Sequence, residues 1–225
     1  MNKAISTKNI TRSFVDGENQ IMVLNQLSLD VELGETIAII GASGSGKTTL
    51  MQILAGIDKA SSGSVEIFGK DIGTYSDKLL SKIRNEQIGF IYQSYHLLPE
   101  FTVLENVALP LMIRGMNFEK AKSIALKMLE EVEMVHRESF FPGKLSGGEK
   151  QRTAIARALI IEPKIIFADE PTGNLDSTVA VKIINQLLEL VFKHHATLVL
   201  VTHDLSIASK MDRTLMLKGG ILVHK

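Results

Sequence analysis

Four short stretches of the chain are apolar at nearly every position: residues 36–40, 88–91, 165–168 and 197–201. A strand with one face in water alternates apolar and polar residues, whereas a strand buried on both faces of a parallel sheet is apolar throughout. The four stretches therefore predict buried strands of a parallel sheet.

Between these strands the apolar residues recur at helical spacing. Within residues 118–135 one helix face carries six of them: Ala121, Ala125, Met128, Leu129, Val132 and Val135. Asp176 is expected to cap a second helix, whose buried side carries Ile183, Ile184, Leu187, Leu188 and Val191. Strands that alternate with helices predict a doubly wound α/β core.

Two regions depart from this alternation. Residues 94–161 have the pattern of helices and loops without a buried strand, which predicts a helical subdomain inserted between core strands. Residues 3–33 alternate more and contain the turn signal Asp16-Gly17, so they predict an antiparallel β layer. We expect one domain over residues 1–225, with a core of 1–93 and 162–225 and a helical subdomain of 94–161.

Composition narrows the possible functions. Lys+Arg and Asp+Glu both total 25, so the formal net charge is zero, which weakens the case for a general nucleic-acid binder and favours self-association. The absence of cysteine excludes disulfides, thiolate catalysis and Cys-ligated zinc. Since no signal-peptide pattern opens the chain and no apolar run approaches about 20 residues, we expect a cytosolic protein without a membrane span.

The segment 41–48 matches the Walker A pattern G-x-x-x-x-G-K-[ST], with a predicted strand before it and a predicted helix after it. Glycines let backbone N–H groups turn inward around a phosphate, and the helix N-terminus adds its positive dipole end. Lys47 is expected to reach the β- and γ-phosphates and Thr48 to ligate Mg²⁺. A chance glycine-rich turn is the alternative, but the strand–loop–helix context favours nucleotide binding. The residues expected to bind the nucleotide here are Gly41, Ser43, Gly44, Ser45, Gly46, Lys47, Thr48 and Thr49.

Two carboxylates, Asp169 and Glu170, end the predicted strand 165–168. Ligands bind at the C-terminal edge of strands in an α/β sheet, and the Walker A loop leaves its strand at the same edge. Asp169 is placed to hold Mg²⁺, and Glu170 to polarise a water for attack on the γ-phosphate. A solvated acidic turn before Pro171 is the alternative.

His203 follows the strand 197–201, whose end is expected to open onto the same edge. A lone histidine is usually structural. The position of His203 instead predicts a hydrogen bond to the γ-phosphate that senses its loss.

A second anion site is suggested by Ser146, Gly147 and Gly148, because a serine with two glycines at a helix N-terminus presents several N–H donors. The alternative is an ordinary helix cap.

In these motifs and in others along essentially its whole length, the chain resembles the ATP-binding cassette (ABC) ATPases. Leu145-Ser146-Gly147-Gly148-Glu149 is similar to the family's signature motif, Gln93 to its Q-loop, residues 173–176 to its D-loop and His203 to its switch histidine. Phe14 stands where the family usually has an adenine-stacking aromatic residue. The resemblance implies an ABC-type P-loop NTPase core.

The resemblance also implies a head-to-tail homodimer with ATP and Mg²⁺ at the interface. Each ATP would lie between the Walker A loop of one subunit and Ser146, Gly147 and Gly148 of the other, where the donors act on the γ-phosphate. Gln93 would join Thr48 and Asp169 around Mg²⁺ and would act in catalysis with Glu170 and His203. It would thereby link the nucleotide to the helical subdomain.

Residues 93–111 resemble, within that family, the cassettes of lipoprotein-releasing systems. This implies a peripheral protein on the cytoplasmic face of the bacterial inner membrane, bound to a heterologous pair of transmembrane proteins and without contact to nucleic acid. The segment 97–114 would receive the partner, with Leu98, Phe101, Val103 and Leu104 lining the groove; core packing is the alternative for each of the four.

Other functions stay open at this point. MacB-type efflux cassettes and FtsE-type cell-division cassettes share much of the segment 93–111. ABC ATPases of translation normally carry two cassettes and those of DNA repair a long coiled coil, so neither fits 225 residues. A P-loop kinase would leave the signature segment, Gln93 and His203 without roles.

Overall fold

The structure is a computed structural model that describes residues 3–17 and 19–224. Its strands are β1 (Lys3–Asp16), β2 (Asn19–Glu32), β3 (Thr36–Ile40), β4 (Ser62–Ile67), β5 (Lys70–Asp71), β6 (Ile88–Tyr92), β7 (Ile165–Asp169), β8 (Thr197–Val201), β9 (Arg213–Lys218) and β10 (Ile221–His224). Its helices are α1 (Lys47–Leu54), α2 (Asp77–Gln87), α3 (Val103–Ile113), α4 (Phe118–Glu131), α5 (Gly147–Leu159), α6 (Ser177–Lys193) and α7 (Leu205–Ala208). The chain divides into a first unit, Met1–Arg84 with Ala196–Lys225, and a second unit, Asn85–His195.

An antiparallel sheet with the order β2-β1-β4-β5 lies in the first unit. Buried apolar residues meet across β1 and β2, as where Ile5 pairs with Val31 and Ile10 with Leu27. This confirms the antiparallel layer that the alternation in residues 3–33 predicted. β1 ends at Asp16 and β2 begins at Asn19, in agreement with the predicted turn.

The first unit also contains strands in the order β10-β9-β3-β8. β3 runs parallel to both β8 and β9, and Ile37 pairs with Val199 on one side and Arg213 on the other. Every residue of β8 is buried, which explains why its sequence shows no alternation. β9 and β10 were not predicted, because β9 is not apolar throughout, with polar residues at both of its ends, and β10 has only four residues.

Parallel pairing of β6 with β7 forms the strand core of the second unit, with a register that runs from Ile88 opposite Ile165 to Tyr92 opposite Asp169. Helix α5 packs on β6 and on α3, α4 and α6. Residues 94–161 contain helices and no strand, as their pattern predicted. The exact boundaries of the helical subdomain stay a prediction.

The predicted helix faces need two corrections. α4 buries Ala121, Ala125, Met128 and Leu129, but it ends at Glu131. Val135 therefore lies beyond the helix, in a short 3-10 turn, and is exposed rather than on the buried face. In α6 the Asp176 cap is confirmed, whereas Leu188 is only half-buried because Leu187 and Leu190 take the inward positions.

The architecture is mixed α/β, with an antiparallel N-terminal sheet, mostly parallel pairing among the remaining strands and helices throughout residues 94–161. The expected fold class is confirmed. Within the part of the chain that the structure describes, none of the helices is both long enough and apolar enough to cross a bilayer.

Candidate active site

The Walker A loop of the first unit connects the end of β3 to the start of α1. Gly46 caps α1 in a left-handed conformation (φ 98°), and neither a capping side chain nor an acidic residue occupies the first turn. The first N–H groups of a helix have no partner within it. Such a helix end, with its positive dipole, favours an anion.

Close packing requires glycine at two positions of the loop. A Cβ on Gly41 would lie 2.5 Å from the Leu217 carbonyl oxygen, and a Cβ on Gly46 would lie 2.9 Å from Val23 Cγ1. Side chains at these positions would displace the loop. The glycines thus set the path of the backbone around the space in which a phosphate is expected.

Lys47 and Ser45 show how the loop fits a phosphate. The Lys47 side chain is buried, and its ammonium donates to the carbonyl oxygens of Gly41 and Ala42, both at 2.9 Å. The Ser45 hydroxyl is buried and has no hydrogen-bond partner among the residues that the structure describes. A buried hydroxyl without a partner is costly, and a phosphate oxygen would supply the missing acceptor. Thr48 and Thr49 lie in the first turn of α1.

Phe14 lies on β1 and its ring is 42% exposed. The guanidinium of Arg12 sits 4.5 Å from the ring centroid and pairs with Asp58 at 2.8 Å. Sequence reasoning missed Arg12, although its spacing of two places it on the same side of the strand as Phe14.

His203 follows β8 and is exposed. The next residue, Asp204, caps the short helix α7 through the N–H groups of Ser206 and Ile207. Hydrogen bonds from Ser206 lower the pKa of Asp204, and the nearby His203 adds to this shift.

In the second unit, the parallel register of β6 and β7 brings Gln93 and Glu170 together, one residue past the paired Tyr92 and Asp169. A Cβ on Gly173 would lie 2.7 Å from Gln93 Nε2 and 3.3 Å from Glu170 Oε2. The backbone of Glu170 is in the left-handed region (φ 43°). This conformation costs a non-glycine residue free energy and is enriched at functional sites. Its carbonyl accepts from the Gly173 N–H at 3.0 Å.

Asn174 fixes the backbone of Gln93, because its amide nitrogen donates to the Gln93 carbonyl at 3.0 Å. Sequence reasoning placed Asn174 in the D-loop motif without assigning it a contact. The two residues are 81 positions apart in the chain, so no local pattern could have paired them.

Ser146 caps α5 with a capping box. Its side chain accepts from the Glu149 N–H at 3.3 Å, and its own N–H donates to the Glu149 carboxylate at 2.8 Å. Arg137 donates to the same carboxylate at 2.7 Å. The Ser146 and Arg137 donors lower the pKa of Glu149 to about 2. Glu149 was placed in the signature segment without a contact, although the S-x-x-E spacing signals the capping box, and Arg137 was not predicted.

Gly147 and Gly148 form the first two positions of α5. A Cβ on Gly147 would lie 3.0 Å from Leu175 Cδ2 and 3.2 Å from the Tyr95 hydroxyl. Among residues 3–17 and 19–224, no protein acceptor takes the N–H of either glycine. The predicted anion site at this helix end is therefore open.

The predicted groove of residues 97–114 needs a correction. Leu98 and Phe101 are exposed, at 37% and 39%, whereas Val103 and Leu104 are buried, at 0% and 9%. Val103 and Leu104 begin α3 and pack inward, so they belong to the core and line no groove.

The chain is similar to known proteins over nearly its whole length. The ABC transporter family model matches residues 24–173. The lipoprotein-releasing system ATP-binding protein LolD of Pseudoalteromonas translucida is 47% identical over 221 residues, which cover 98% of this chain and 95% of that protein. LolD of Legionella pneumophila strain Paris is 47% identical over 218 residues, covering 97% and 96% of the two chains.

Solved structures agree with these relatives. A dimeric post-hydrolysis state of the ATP-binding cassette MJ0796, bound to ADP and Pi, matches with a TM-score of 0.90 and 39% identity over 97% of this chain and 96% of that one. A dimeric structure of MJ0796 described as a bacterial ABC transporter cassette matches with a TM-score of 0.90 and 40% identity over the same shares. Family model, relatives and fold coincide with the motifs described above, and the chain therefore belongs to the ABC transporter family as an ATP-binding cassette that hydrolyses ATP.

Proposed function

We propose that this chain is the ATPase subunit of an ABC transporter that releases lipoproteins from the bacterial inner membrane toward the outer membrane. The observation that carries the proposal is the match to LolD proteins at 44–47% identity over at least 95% of this chain. The subunit would lie on the cytoplasmic face of that membrane and be held there by two transmembrane partners.

ATP would bind first to the Walker A loop. Lys47 would exchange its bonds with the Gly41 and Ala42 carbonyls for the β- and γ-phosphates, and Ser45 would gain the acceptor that it lacks. The N-terminus of α1 would add its N–H groups and its dipole. Adenine would stack on Phe14, whose ring Arg12 contacts from one side.

Mg²⁺ is implied by the family and fits the residues present. The oxygens of Thr48, Gln93 and Asp169 are the hard ligands that Mg²⁺ prefers, and Mg²⁺ in such sites is held by few protein groups besides the phosphates. When bound, Mg²⁺ would neutralise charge on the β- and γ-phosphates.

Glu170 would act as the general base. Its carboxylate would take a proton from water as the water oxygen attacks the γ-phosphorus and the bond to the β-phosphate breaks. The left-handed backbone of Glu170 and its contact with Gly173 hold the carboxylate beside the Gln93 amide. His203 would hydrogen-bond the γ-phosphate and report its loss.

The signature end of α5 would complete the site of a second copy of this chain. Among the described residues, no protein acceptor takes the Gly147 and Gly148 N–H groups, and MJ0796 is described as dimeric in the two structures compared above. Donors that arrive from the partner subunit would stabilise charge on the transferring phosphate. Closure of the dimer would then depend on ATP.

Contact with the membrane partners would involve residues 97–114. Leu98 and Phe101 are exposed there, as are Met112 and Ile113 at the other end of α3. These side chains offer an apolar surface to a partner helix. Ile113 is 67% exposed, which a core role does not explain.

Reconstitution tests the transport function. The tagged chain is co-expressed with the membrane proteins encoded beside it, purified in detergent and placed in vesicles that carry a lipoprotein. We expect a pair of membrane proteins to copurify and the lipoprotein to leave the vesicles only with ATP. Copurification with an FtsX-type or peptide-exporter protein and no lipoprotein release would instead assign the chain to the cell-division or MacB-type cassettes.

Glu170→Gln tests the catalytic assignment. Loss of the base should lower ATP turnover by at least about 100-fold, while ATP binding is kept and a closed dimer accumulates in size-exclusion chromatography. Glu162 is a matched control, because it is another left-handed glutamate (φ 51°) outside the motifs, and Glu162→Gln should hydrolyse ATP like the wild type. Near wild-type turnover in Glu170→Gln would remove Glu170 as the base.

A further inference from the structure

The segment that follows Gln93 has a strained backbone. Tyr95 and His96 are both left-handed, with φ of 60° and 48°, and each such residue costs on the order of 1–3 kcal/mol. The His96 N–H donates to the Ser94 carbonyl at 2.6 Å, which closes a very tight turn. Strain of this kind persists only where neighbouring groups hold it.

Arg157, in the last turn of α5, supplies such a hold. Its guanidinium donates to the Tyr95 carbonyl at 2.7 Å and to the His96 carbonyl at 2.5 Å. Two successive carbonyls that point toward one side chain match the planar fork of an arginine, which the single ammonium of a lysine reproduces poorly. Burial lowers the pKa of Arg157, although an arginine in a protein stays charged.

Further contacts fix both ends of this turn. The Tyr92 and His96 rings pack with centroids 4.4 Å apart, and Tyr92 in turn stacks on Phe90. At the other end, Asn174 holds the Gln93 carbonyl. Gln93 therefore cannot shift without disturbing groups on both sides of it.

The same helix carries the signature at its other end. Arg157 lies eleven residues after Ser146, which at about 1.5 Å per residue is roughly 16 Å along α5. Tyr95 spans between these ends, since its carbonyl binds Arg157 and its hydroxyl lies 3.2 Å from the Cβ position of Gly147. Helix α5 and the turn at residues 93–96 thus share contacts at two points.

We infer that Arg157 is a positioning residue that joins the Gln93 turn to the signature helix, so that Gln93 and the Gly147-Gly148 end move as one piece. This rests on the proposed roles of Gln93 at the γ-phosphate and of the signature toward a partner's ATP. Engagement of the signature by the nucleotide of a second subunit is then transmitted to Gln93 of the same chain. Arg157 acts through backbone carbonyls and touches neither nucleotide.

Arg157→Ala is the primary test, in the purified full-length chain with Mg²⁺ and ATP. Misplacement of a positioned group by about 1 Å can cost 100-fold, so we expect kcat to fall at least about 20-fold. Monomer affinity for ATP should stay within about twofold, because the Walker A loop is unchanged. Arg157→Lys, which can bind one carbonyl, should show an intermediate kcat. Arg152→Ala is the matched control, since Arg152 on the same helix bonds Val132 and Glu133 instead and should keep wild-type kcat.

A rescue experiment separates positioning from simple support of the fold. Glycine adopts left-handed backbone without cost, so the double variant Arg157→Ala/His96→Gly should recover part of the kcat lost in Arg157→Ala. A residue that merely supported helix packing would not be rescued by a change in the turn. Absence of recovery would overturn the inference.

Two other results would also overturn it: wild-type kcat in Arg157→Ala, or an ATP affinity that falls as much as kcat. If Arg157→Ala is insoluble, Arg157→Lys provides the test. An unchanged kcat in Arg157→Lys would contradict the positioning role, and a reduced kcat at an unchanged melting temperature would support it. Failure of the proposed function looks different. In that case the wild-type chain itself would release no lipoprotein, whatever residue stands at position 157.

Discussion

Helices α3 and α5 begin with the same capping chemistry, but the N–H groups that follow the cap are covered in α3 and open in α5. Thr102 with Glu105 and Ser146 with Glu149 both form complete capping boxes. At α3, the next two N–H groups donate to the Phe140 and Glu138 carbonyls at 2.8 and 3.0 Å. At α5, the N–H groups of both glycines are left without a protein acceptor among the described residues.

The difference arises from the residues just inside each cap. α3 continues with Val103 and Leu104, whose side chains are buried and whose N–H groups are covered by the carbonyls of residues 140 and 138. α5 continues with two glycines, and the side chains of Leu175, Tyr95 and Val179 lie close to their Cβ positions without accepting from their N–H groups. A cap therefore stabilises a helix in either place, whereas an anion site also requires that no protein acceptor takes the first N–H groups.

Among the variants that test the difference between these two helix ends, Gly148→Asp should have the largest effect. A carboxylate at the open end would occupy the N–H donors and repel phosphate, so we expect turnover to fall by about 100-fold or more. Folding should be nearly unchanged, because an acidic residue in the first turn contributes about 0.3–1 kcal/mol, which offsets the small shift that a Cβ at this position requires of Val179. Measurements of kcat and of thermal unfolding check these two expectations.

Gly148→Ala is the control for added bulk. Its Cβ would lie 3.1 Å from Val179 Cγ1, which requires a small shift of that side chain. Turnover should fall much less than in Gly148→Asp. Equal losses in the two variants would mean that packing, and not an open anion site, explains the glycine.

Ser146→Ala and Thr102→Ala form a pair with a smaller effect. Each removes a capping hydrogen bond, so both should lose about 1 kcal/mol of unfolding free energy. Only Ser146→Ala should also lower turnover, by about 10-fold, because only its helix end is open to a second subunit. Urea unfolding and steady-state ATPase assays measure the two quantities. If Thr102→Ala lowered turnover equally, the closed and open ends would not differ in function.

Local patterns in the sequence predicted what depends on local residues. The four buried strands, the Asp176 cap, the Walker A loop and the antiparallel layer follow from periodicity and from turn or cap residues near in the chain. Helix ends were less certain, as Val135 shows: the apolar spacing continues past Glu131, although the backbone leaves the helix there.

Contacts between distant residues could not be predicted in this way. Arg157 reaches carbonyls 61 and 62 positions away, and Arg12 reaches Asp58 across 46 positions. No sequence pattern near Thr102 indicates that residues 138–140 cover the N-terminus of its helix. Such pairings depend on the three-dimensional path of the chain, which periodicity does not specify.

The last comparison concerns how the stability of the open cap changes with pH. The pKa of Glu149 is lowered to about 2 from an ordinary value of 4.5, chiefly by the Ser146 N–H. A carboxylate whose pKa is lower in the folded state stabilises the fold fully above its unfolded pKa, and loses this effect as pH falls toward the folded one. We expect Glu149→Gln to cost roughly 1–2 kcal/mol at pH 7, after allowance for solvent screening, and progressively less from about pH 4.5 down to about pH 2.

Urea unfolding of wild type and Glu149→Gln at pH 7, 5 and 3 measures this difference in unfolding free energy. Arg137→Gln is the companion variant, since it removes the ion pair but leaves the backbone bond, which is the largest cause of the lowered pKa. It should therefore preserve most of the pH dependence that Glu149→Gln abolishes. A difference in unfolding free energy between wild type and Glu149→Gln that stays constant from pH 7 to pH 3 would contradict this prediction. It would show that the charge of Glu149 does not stabilise the capping box at the open helix end.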